Sequence, residues 1–432
     1  MKELLEKLYR NHKHYLPERL VHSPLFFRLR DALLNPTPAK TEQLIQQRLR
    51  HTLLIAKKNV PFYKGLPITT KTIANESPLE LLNEFPFIEK DQIMDDQRSF
   101  INCKKLLLLS KYATSGGSSG RGIGIWRSKT SSDIEKLFFD VRWGALGYSA
   151  TQSTILRIGA DARRRQDEHP VWRSGHKLML SPYHVNSAHL SLIFNALSAS
   201  TIDFIHAYPS IMAELTRLLQ SNSLPPPVKP QAIFLASEPS NIEQMHLIQR
   251  YWNCDIVLHY GLAERTNLAF YYHNDSNHAV AYKLEPLYSI SENYPDTTEI
   301  VGTSLWNDVM PLIRYRTKDH GIIKDSVIHS LDGRSQDFLT DRNGNLIPGT
   351  SVVIDEVTWS KVRQYQVYQS EPGAVKIKVV PRYQRIEDDF LSYILNQQKA
   401  RWGDFFDISV VVCDSIPLTP AGKTKLVVIE PS

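Results

Sequence analysis

The sequence has few cysteines and no long apolar run. Its 432 residues include three cysteines, Cys103, Cys254 and Cys413, which lie far apart and form no CxxC pair. This sparse, odd set argues against a zinc site and fits a reducing compartment, so we expect a cytoplasmic protein. No apolar stretch approaches the ~20 residues of a membrane span, and the N-terminal MKELLEKLYRNHKHYL lacks the apolar core of a signal peptide.

The sequence also lacks a strong excess of charge of one sign. Its formal net charge is +6, which is compatible with anionic small molecules. We find no concentrated basic face with interleaved aromatic residues, and we therefore expect no nucleic-acid partner. The N-terminal segment predicts an amphipathic, basic helix; packing on its own domain is favoured over attachment to a membrane surface.

Two phosphate-binding patterns are missing as well. No GxxxxGK[ST] and no GxGxxG occurs around the glycine-rich stretch TSGGSSGRG at residues 114–122. This excludes an ordinary P-loop or a Rossmann site there. Such a stretch has little side chain to bury and loses much backbone entropy on ordering. It is therefore either a flexible linker or a loop whose N–H groups and hydroxyls hold an anion.

The middle of the chain alternates short apolar runs with amphipathic segments. Residues 1 to about 100 predict a helical, irregular part. The strand candidates beyond it are 106–110, 154–158, 203–207, 232–236 and 256–260. Capping boxes at Ser132–Glu135 and Ser240–Glu243, and the periodic stretch 211–221, predict helices between them. This alternation predicts an α/β fold with a largely parallel sheet.

The pattern changes after about residue 330. A hairpin is predicted for QYQVYQ and AVKIKVV, with the turn near Gly373. A helix over 386–399 and a strand over 407–413 follow, before the polar loop IPLTPAGKTK. These elements predict a small α+β domain of about 100 residues, joined near Gly333.

Four further stretches carry chemistry-bearing residues. HYGLAE (259–264) follows a strand and places a carboxylate four residues after an aromatic residue. PLIRYRTKDHG (311–321) holds arginines and an aspartate, DGRSQDFL (332–339) has an arginine at the domain junction, and PLTPAGKTK (417–425) has a lysine in the last loop.

Together these stretches resemble, in order and spacing, the adenylate-forming superfamily of acyl-CoA synthetases, adenylation domains and firefly luciferase. That superfamily has motifs of the form TSGTTGKP, YGxTE, YRTGD, GRxDD and PxxxxGK. The stretches LIAKKNVPFYK (54–64) and FPFIEKDQI (85–93) resemble the opening of the phenylacetate–CoA ligase branch, which includes capsule-biosynthesis relatives. The resemblance covers most of the chain.

The resemblance implies two domains and a two-step reaction. Residues 1–332 would form the large domain that binds ATP and the acid, and residues 333–432 a small mobile domain that rotates between half-reactions. ATP and a small carboxylic acid would give an acyl- or aryl-adenylate. The acyl group would then pass to CoA, a carrier-protein thiol or an amine. Mg²⁺ would supply positive charge in the first step.

The resemblance also implies roles for individual residues. Lys423 would be catalytic, reaching the α-phosphate. Glu264 would help to hold Mg²⁺, Tyr260 and Gly261 would border adenine, Asp319 would accept hydrogen bonds from the ribose, and Arg334 would contact the nucleotide. The remaining nucleotide-binding candidates are the phosphate loop, with Thr114, Ser115, Gly116, Ser118, Ser119, Gly120 and Arg121, and the adenine-pocket segment, with Ser237, Glu238 and Pro239.

Each assignment has a structural alternative. Tyr260 could be a core aromatic residue, Glu264 a local cap or ion-pair partner, and Asp319 a partner of Arg314 or Arg316. Arg334 could form a surface ion pair, and Lys423 could be a solvated lysine. Three positions depart from the superfamily: Arg121 replaces a lysine, Lys318 replaces the glycine of YRTGD, and Gln336 stands where the hinge often has Asp or Lys.

The acid itself is not identified by the sequence. Trp143, Phe204 and Tyr208 suggest room for an aromatic or medium-sized apolar acid, and His206 could border the same pocket. A non-catalytic nucleotide-binding relative that acts as a binding or assembly protein, and an unrelated nucleotide or nucleic-acid binder, are the alternative hypotheses. A homodimer stays open.

Overall fold

A computed structural model describes most of the chain. The described residues are 19, 22–105, 107, 110–114, 123–159, 162, 164–165, 167–175, 177–238, 240, 242–273, 279–329, 331, 333–334, 338–344, 346–348, 356–383, 385–417 and 425–430.

The α-helices are α1 (Pro24–Leu34), α2 (Pro38–Asn59), α3 (Pro61–Lys64), α4 (Thr70–Asn75), α5 (Pro78–Leu81), α6 (Lys90–Asp95), α7 (Lys129–Gly144), α8 (Leu190–Ser198), α9 (Pro209–Ser221), α10 (Ile242–Trp252), α11 (Glu356–Lys361) and α12 (Asp388–Trp402). Short 3₁₀ helices cover Leu82–Glu84, Gln97–Phe100, Pro182–His184 and Ser187–His189.

The strands of the first half are β1 (Lys111–Thr114), β2 (Gly124–Arg127), β3 (Ile155–Ile158), β4 (Val171–Ser174), β5 (Lys177–Leu180), β6 (Phe204–Ala207), β7 (Ala232–Ala236), β8 (Asp255–Gly261), β9 (Leu268–His273), β10 (Tyr282–Leu284) and β11 (Ser289–Asn293). Those of the second half are β12 (Glu299–Ser304), β13 (Tyr315–His320), β14 (Ile323–Lys324), β15 (Val327–Ile328), β16 (Gly333–Arg334), β17 (Phe338–Thr340), β18 (Leu346–Pro348), β19 (Val362–Glu371), β20 (Ala374–Pro381), β21 (Asp407–Val412) and β22 (Val427–Ile429).

The largest sheet of the described residues has the strand order β14-β15-β10-β9-β8-β7-β6-β3-β5-β4. Its central strands β5, β3, β6, β7 and β8 are parallel, and the strands on either side are antiparallel. Parallel strands covered on both faces read as continuous apolar runs, and all five residues of β7, AIFLA, are buried. The mixed α/β fold predicted from the sequence is confirmed.

Two apolar clusters cover the two faces of this sheet. One joins the sheet to α8, α9 and α10, through residues such as Ile193, Leu215 and Ile248. The other joins it to α7 and the N-terminal helices, through residues such as Phe138 and Leu49. The described helices from α1 to α5 therefore form one layer against the sheet. The amphipathic helix predicted for the N-terminal segment lies outside the described residues.

Two local predictions were wrong. The strand expected over 106–110 is not there: residues 107 and 110 lie outside any strand, and the strand is β1, which pairs with β2 as an antiparallel hairpin. Helix α7 begins before the expected capping box, because the Ser128 side chain accepts a hydrogen bond from the Ser131 backbone N–H and caps the helix four residues before Ser132.

The C-terminal part forms a sheet of its own, in the order β21-β20-β19-β22. Its central hairpin, β19 and β20, turns at Gly373, whose φ of +79° favours glycine, as the sequence predicted. Strand β22, parallel to β19, is not predicted by the sequence. A separate apolar cluster under α12 packs this sheet, with Val367, Ile377 and Ile394 buried in it.

Candidate active site

The end of strand β8 carries the first group of candidate residues. Tyr260 is 7% exposed, and its hydroxyl donates a hydrogen bond to Oδ2 of Asp319 across 2.9 Å. Asp319 is 6% exposed and lies on β13, in a different sheet. The chain leaves β8 at Gly261, which the sequence also selected. The motifs HYGLAE and PLIRYRTKDHG therefore meet through one hydrogen bond.

Arg334 lies beside Asp319 in the backbone. Strand β16 pairs with β13 so that Arg334 is opposite Asp319 and Gly333 is opposite His320. Only the backbone of Arg334 is described. A third motif, DGRSQDFL, thus begins next to the other two, although 15 residues of sequence separate the two partners in the register.

Glu264 is buried in the turn after β8 and is 7% exposed. The Tyr315 hydroxyl donates a hydrogen bond to its Oε1 across 3.3 Å. Along β13, Tyr315, Thr317 and Asp319 are buried and alternate with partly exposed residues, so one face of this strand carries both contacts.

Arg127 is a residue that sequence reasoning missed. It lies at the end of β2, and its Nε donates a hydrogen bond to the Ala263 carbonyl across 2.9 Å. Burial lowers its pKa, against the opposing attraction of Tyr288 and Glu264. Arg127 therefore ties the hairpin that flanks the glycine-rich loop to the turn that carries Glu264. Only its position shortly after that loop could have pointed to it.

Residues 237 and 238 follow the carboxyl end of β7. Ser237 is exposed and has a φ of +74°. Oε2 of Glu238 accepts hydrogen bonds from the Ser210 backbone N–H at 3.2 Å and from the Ser210 hydroxyl at 2.6 Å. Glu238 thus orients the start of α9, where a carboxylate is favoured by the helix dipole. Both residues lie at the same edge of the sheet as Tyr260, where ligands of open α/β sheets usually bind.

Several candidates lie outside the described residues: Ser115, Gly116, Ser118, Ser119, Gly120, Arg121, Pro239 and Lys423. Thr114 is the last residue of β1, and its backbone pairs with Gly124 on β2. The paired strands hold the two ends of the glycine-rich segment together, next to the turn that Arg127 contacts.

Lys318 has a left-handed backbone. Its φ is +62°, at the position where the resembled superfamily has glycine. Its backbone N–H donates a hydrogen bond to Oε1 of Glu299 at 3.2 Å, and its ammonium group lies 3.3 Å from Oε2 of Glu89. Arg316 contacts the same two carboxylates, and the hydrogen bond to Glu299 raises its pKa. These ion pairs hold the part of β13 next to Asp319.

Aromatic residues fill the sheet face below these motifs. Trp143 stacks on Phe234 with ring centroids 4.1 Å apart, and Phe204 stacks on Phe234 at 5.4 Å. Phe204 is fully buried, and Tyr208 is 3% exposed in the cluster on the opposite face of the sheet. Trp143 and Phe204 thus share one face of the sheet, and Tyr208 belongs to the cluster on the other face. Trp143 also contacts His206, with ring centroids 5.2 Å apart.

Comparisons with known proteins agree with this architecture. No protein-family model matches the chain. Protein CapK of Staphylococcus aureus is 20% identical to it over 404 residues, which span 89% of this chain and 88% of CapK. The crystal structure of 2-hydroxyisobutyryl-CoA ligase in the postadenylation state with R3-HIB-AMP aligns with a TM-score of 0.66 and 12% identity, over 92% of this chain and 90% of the ligase. The same ligase with 2-HIB-AMP gives 0.65 and 13% over the same shares.

The chain has the fold of an adenylate-forming ligase. Specifically, it shares the fold of 2-hydroxyisobutyryl-CoA ligase along nearly its whole length. The resemblance seen in the sequence is confirmed at the level of the fold.

No helix among the described residues combines the length and apolar character needed to cross a membrane.

Proposed function

We propose that this chain is an ATP-dependent acid ligase that forms an acyl- or aryl-adenylate and transfers the acyl group to CoA, a carrier-protein thiol or an amine. The observation that carries the proposal is the meeting of three sequence-distant motifs at Asp319: Tyr260 bonds its side chain, and Arg334 pairs with its backbone. An aspartate held in this way can accept hydrogen bonds from two hydroxyl groups of a ribose. The similarity to CapK supports the phenylacetate–CoA ligase-like branch with its capsule-biosynthesis relatives.

The residues have complementary tasks in the first half-reaction. A carboxylate has to approach an anionic phosphate, so positioning and positive charge are the main needs. The loop at 115–121 offers backbone N–H groups and Arg121 for the terminal phosphates, and Lys423 would stabilise charge at the α-phosphate. Tyr260 and Gly261 would border the adenine, together with residues 237–239.

Glu264 fits a magnesium ion. Mg²⁺ is usually held by one or two carboxylates together with substrate phosphates, so a single carboxylate is a sufficient protein ligand. The Tyr315 hydroxyl fixes the orientation of the Glu264 carboxylate. When bound, the ion supplies positive charge at the phosphates. The small domain would rotate to admit CoA or another acceptor for the second half-reaction.

The proposal also places the protein in the cytoplasm. The cysteines Cys103, Cys254 and Cys413 are free, and Cys103 is exposed, which suits a reducing compartment.

The test is carboxylate-dependent release of pyrophosphate with ATP and Mg²⁺, across a panel of aryl, fatty, hydroxy and amino acids with hydroxylamine to trap the adenylate. Lys423→Ala should lower the rate about 10²–10³-fold, while ATP binding measured by calorimetry stays within a few-fold. The matched control is Lys425→Ala, two residues further along the same segment, which should keep the rate. ATP binding without turnover of any acid would favour the non-catalytic relative, and no ATP binding would refute the nucleotide site.

A further inference from the structure

Three nitrogen-bearing rings meet on the sheet face that carries the aromatic cluster. Trp143 of α7, His206 of β6 and His259 of β8 form a triangle, with ring centroids 5.2 Å apart for Trp143 and His206, 5.8 Å for His206 and His259, and 6.1 Å for Trp143 and His259. We call these three residues the ring triad.

The ring triad has unmade hydrogen bonds. Nε1 of Trp143 and Nδ1 of His259 are buried and have no hydrogen-bond partner among the described residues. His206 likewise makes ring contacts there but no hydrogen bond. Buried polar groups are nearly always paired, and leaving one unpaired is unfavourable, so two such groups beside a third polar ring call for a bound partner.

The two histidines of the triad are partly exposed. His206 and His259 are half-buried, whereas Ile205, Ala207 and Leu258 beside them in the strands are fully buried. Alternate residues of a strand face opposite sides of the sheet, so both histidines face the α7 side, where they are partly exposed. Phe139 of α7 contacts His259 at 4.8 Å between centroids and is half-buried as well.

The ring triad adjoins the proposed adenylation site in the strands. His259 directly precedes Tyr260 on β8, and Ala236, which directly precedes Ser237, is its partner in the register with β7. An acid with its carboxylate at the end of β7 and β8 would extend its other end toward the triad.

The triad is a neutral recognition set. Burial, and secondarily Arg157, lowers the pKa of His259 to about 3 and lowers that of His206 well below its usual value. A neutral imidazole offers one donor and one acceptor, and the indole offers a donor. A hydroxyl group, which both donates and accepts, satisfies such a set, whereas a hydrocarbon group satisfies none of it.

We propose that the acid bound by this chain carries a hydroxyl group that binds to the ring triad. The indole N–H of Trp143 donates a hydrogen bond to this hydroxyl group, and His206 and His259 donate hydrogen bonds to it or accept them from it. This inference rests on the proposed function, because it concerns the acid of the same reaction. It replaces the purely apolar acid pocket that the aromatic residues alone suggest.

The test compares acids that differ only in one hydroxyl group. Suitable pairs are 2-hydroxyisobutyrate and isobutyrate, 3-hydroxybutyrate and butyrate, 3-hydroxybenzoate and benzoate, and 4-hydroxyphenylacetate and phenylacetate. For each pair, kcat/KM is measured by pyrophosphate release, and binding of the free acid is measured by calorimetry. In at least one pair the hydroxy acid should be preferred at least tenfold, because its analogue leaves buried donors unpaired.

Trp143→Phe tests the triad itself. It removes the indole N–H but keeps an aromatic ring against Phe234, and it should reduce the preference for the hydroxy acid about tenfold. The matched control is Trp402→Phe, because Nε1 of Trp402 is also buried without a partner but lies in the C-terminal sheet's helix α12. The control should keep the wild-type preference.

The outcomes separate this inference from the proposed function. Equal kcat/KM within every pair, with turnover present, would overturn the hydroxyl assignment and leave the ligase function intact. A binding preference for a hydroxy acid without turnover would support the triad and contradict the ligase function. Neither turnover nor binding with any acid would overturn both. A preference that Trp143→Phe leaves unchanged would overturn the role of the triad.

Discussion

The Tyr260 hydroxyl donates a hydrogen bond to the Asp319 carboxylate across 2.9 Å, between two side chains that are both almost completely buried. The two residues are 59 positions apart and lie in different sheets. A hydrogen bond to a carboxylate is charge-assisted and geometrically specific. It therefore fixes the orientation of the Asp319 carboxylate, which we propose accepts hydrogen bonds from a ribose.

Tyr260→Phe should weaken ATP binding. The variant keeps the ring and removes only the donor, so Asp319 loses its orienting contact, and a contribution of about 1 kcal/mol predicts a Kd for ATP about fivefold higher. Calorimetric titration with ATP measures this change. Tyr271→Phe is the matched control. Tyr271 lies on β9, next to β8, and the variant removes a hydroxyl group that is hydrogen-bonded to His273 of the same strand. Equal affinities in the two variants would contradict the role of the Tyr260 bond.

Lys318→Gly should be more stable than Lys318→Ala. Both variants lose the contact of the ammonium group with Glu89, but only glycine adopts the φ of +62° without strain. We expect a difference of about 1 kcal/mol in the free energy of unfolding, measured by urea denaturation. If alanine were as stable as glycine, the left-handed backbone would not be strained in solution.

Four of the five parallel strands, β3, β6, β7 and β8, could be predicted from the sequence because they are mainly apolar runs, whereas the sequence does not predict β5. β6, β7 and β8 lie within two residues of the predicted bounds. The apolar run at 106–110 misled because its pattern fits helix or strand equally. The true strand, β1, depends on its partner β2, where Tyr112 lies opposite Trp126. Such a cross-strand pair contributes only after the hairpin has formed, so local sequence does not reveal it.

The candidate site shows the same limit. The resemblance selected Tyr260, Asp319 and Glu264 one by one, but no spacing in the sequence indicates that Tyr260 bonds Asp319 or that Tyr315 bonds Glu264. These contacts depend on how two sheets pack against each other. The serine-rich start of α7 is a local example. Both Ser128 and Ser132 are suitable N-cap residues, and the structure has the cap at Ser128 because the helix begins at Lys129.

Glu264→Gln should raise the Mg²⁺ requirement. The amide keeps the shape of the side chain but removes the negative charge that the ion needs, so the Mg²⁺ concentration for half-maximal pyrophosphate release should rise about tenfold. Tyr315→Phe removes the hydrogen bond to the carboxylate but keeps its charge, and a smaller rise is expected. An unchanged Mg²⁺ dependence in Glu264→Gln would assign the ion to other ligands.

The ion pair between Glu214 and Arg382 joins α9 to the end of β20 and should make stability depend on pH. Nη2 of Arg382 lies 3.3 Å from Oε2 of Glu214, and both side chains are nearly buried. Burial raises the pKa of Glu214 to about 7, although Arg382 opposes this change. The unfolded chain then ionises this carboxyl group at lower pH than the folded chain, so the folded state binds more protons between pH 4.5 and 7.

Stability should therefore fall as the pH rises through this window, and Glu214→Gln should remove that part of the dependence. Urea unfolding at pH 5, 6, 7 and 8 should show the free energy of unfolding of the wild type falling relative to Glu214→Gln by up to about 3 kcal/mol. Arg382→Leu removes the cation that favours the ionised carboxylate, so its decline should continue to higher pH and be larger by pH 8 than that of the wild type. A difference between wild type and Glu214→Gln that is constant across the four pH values would show that Glu214 ionises in the folded protein as it does in the unfolded chain.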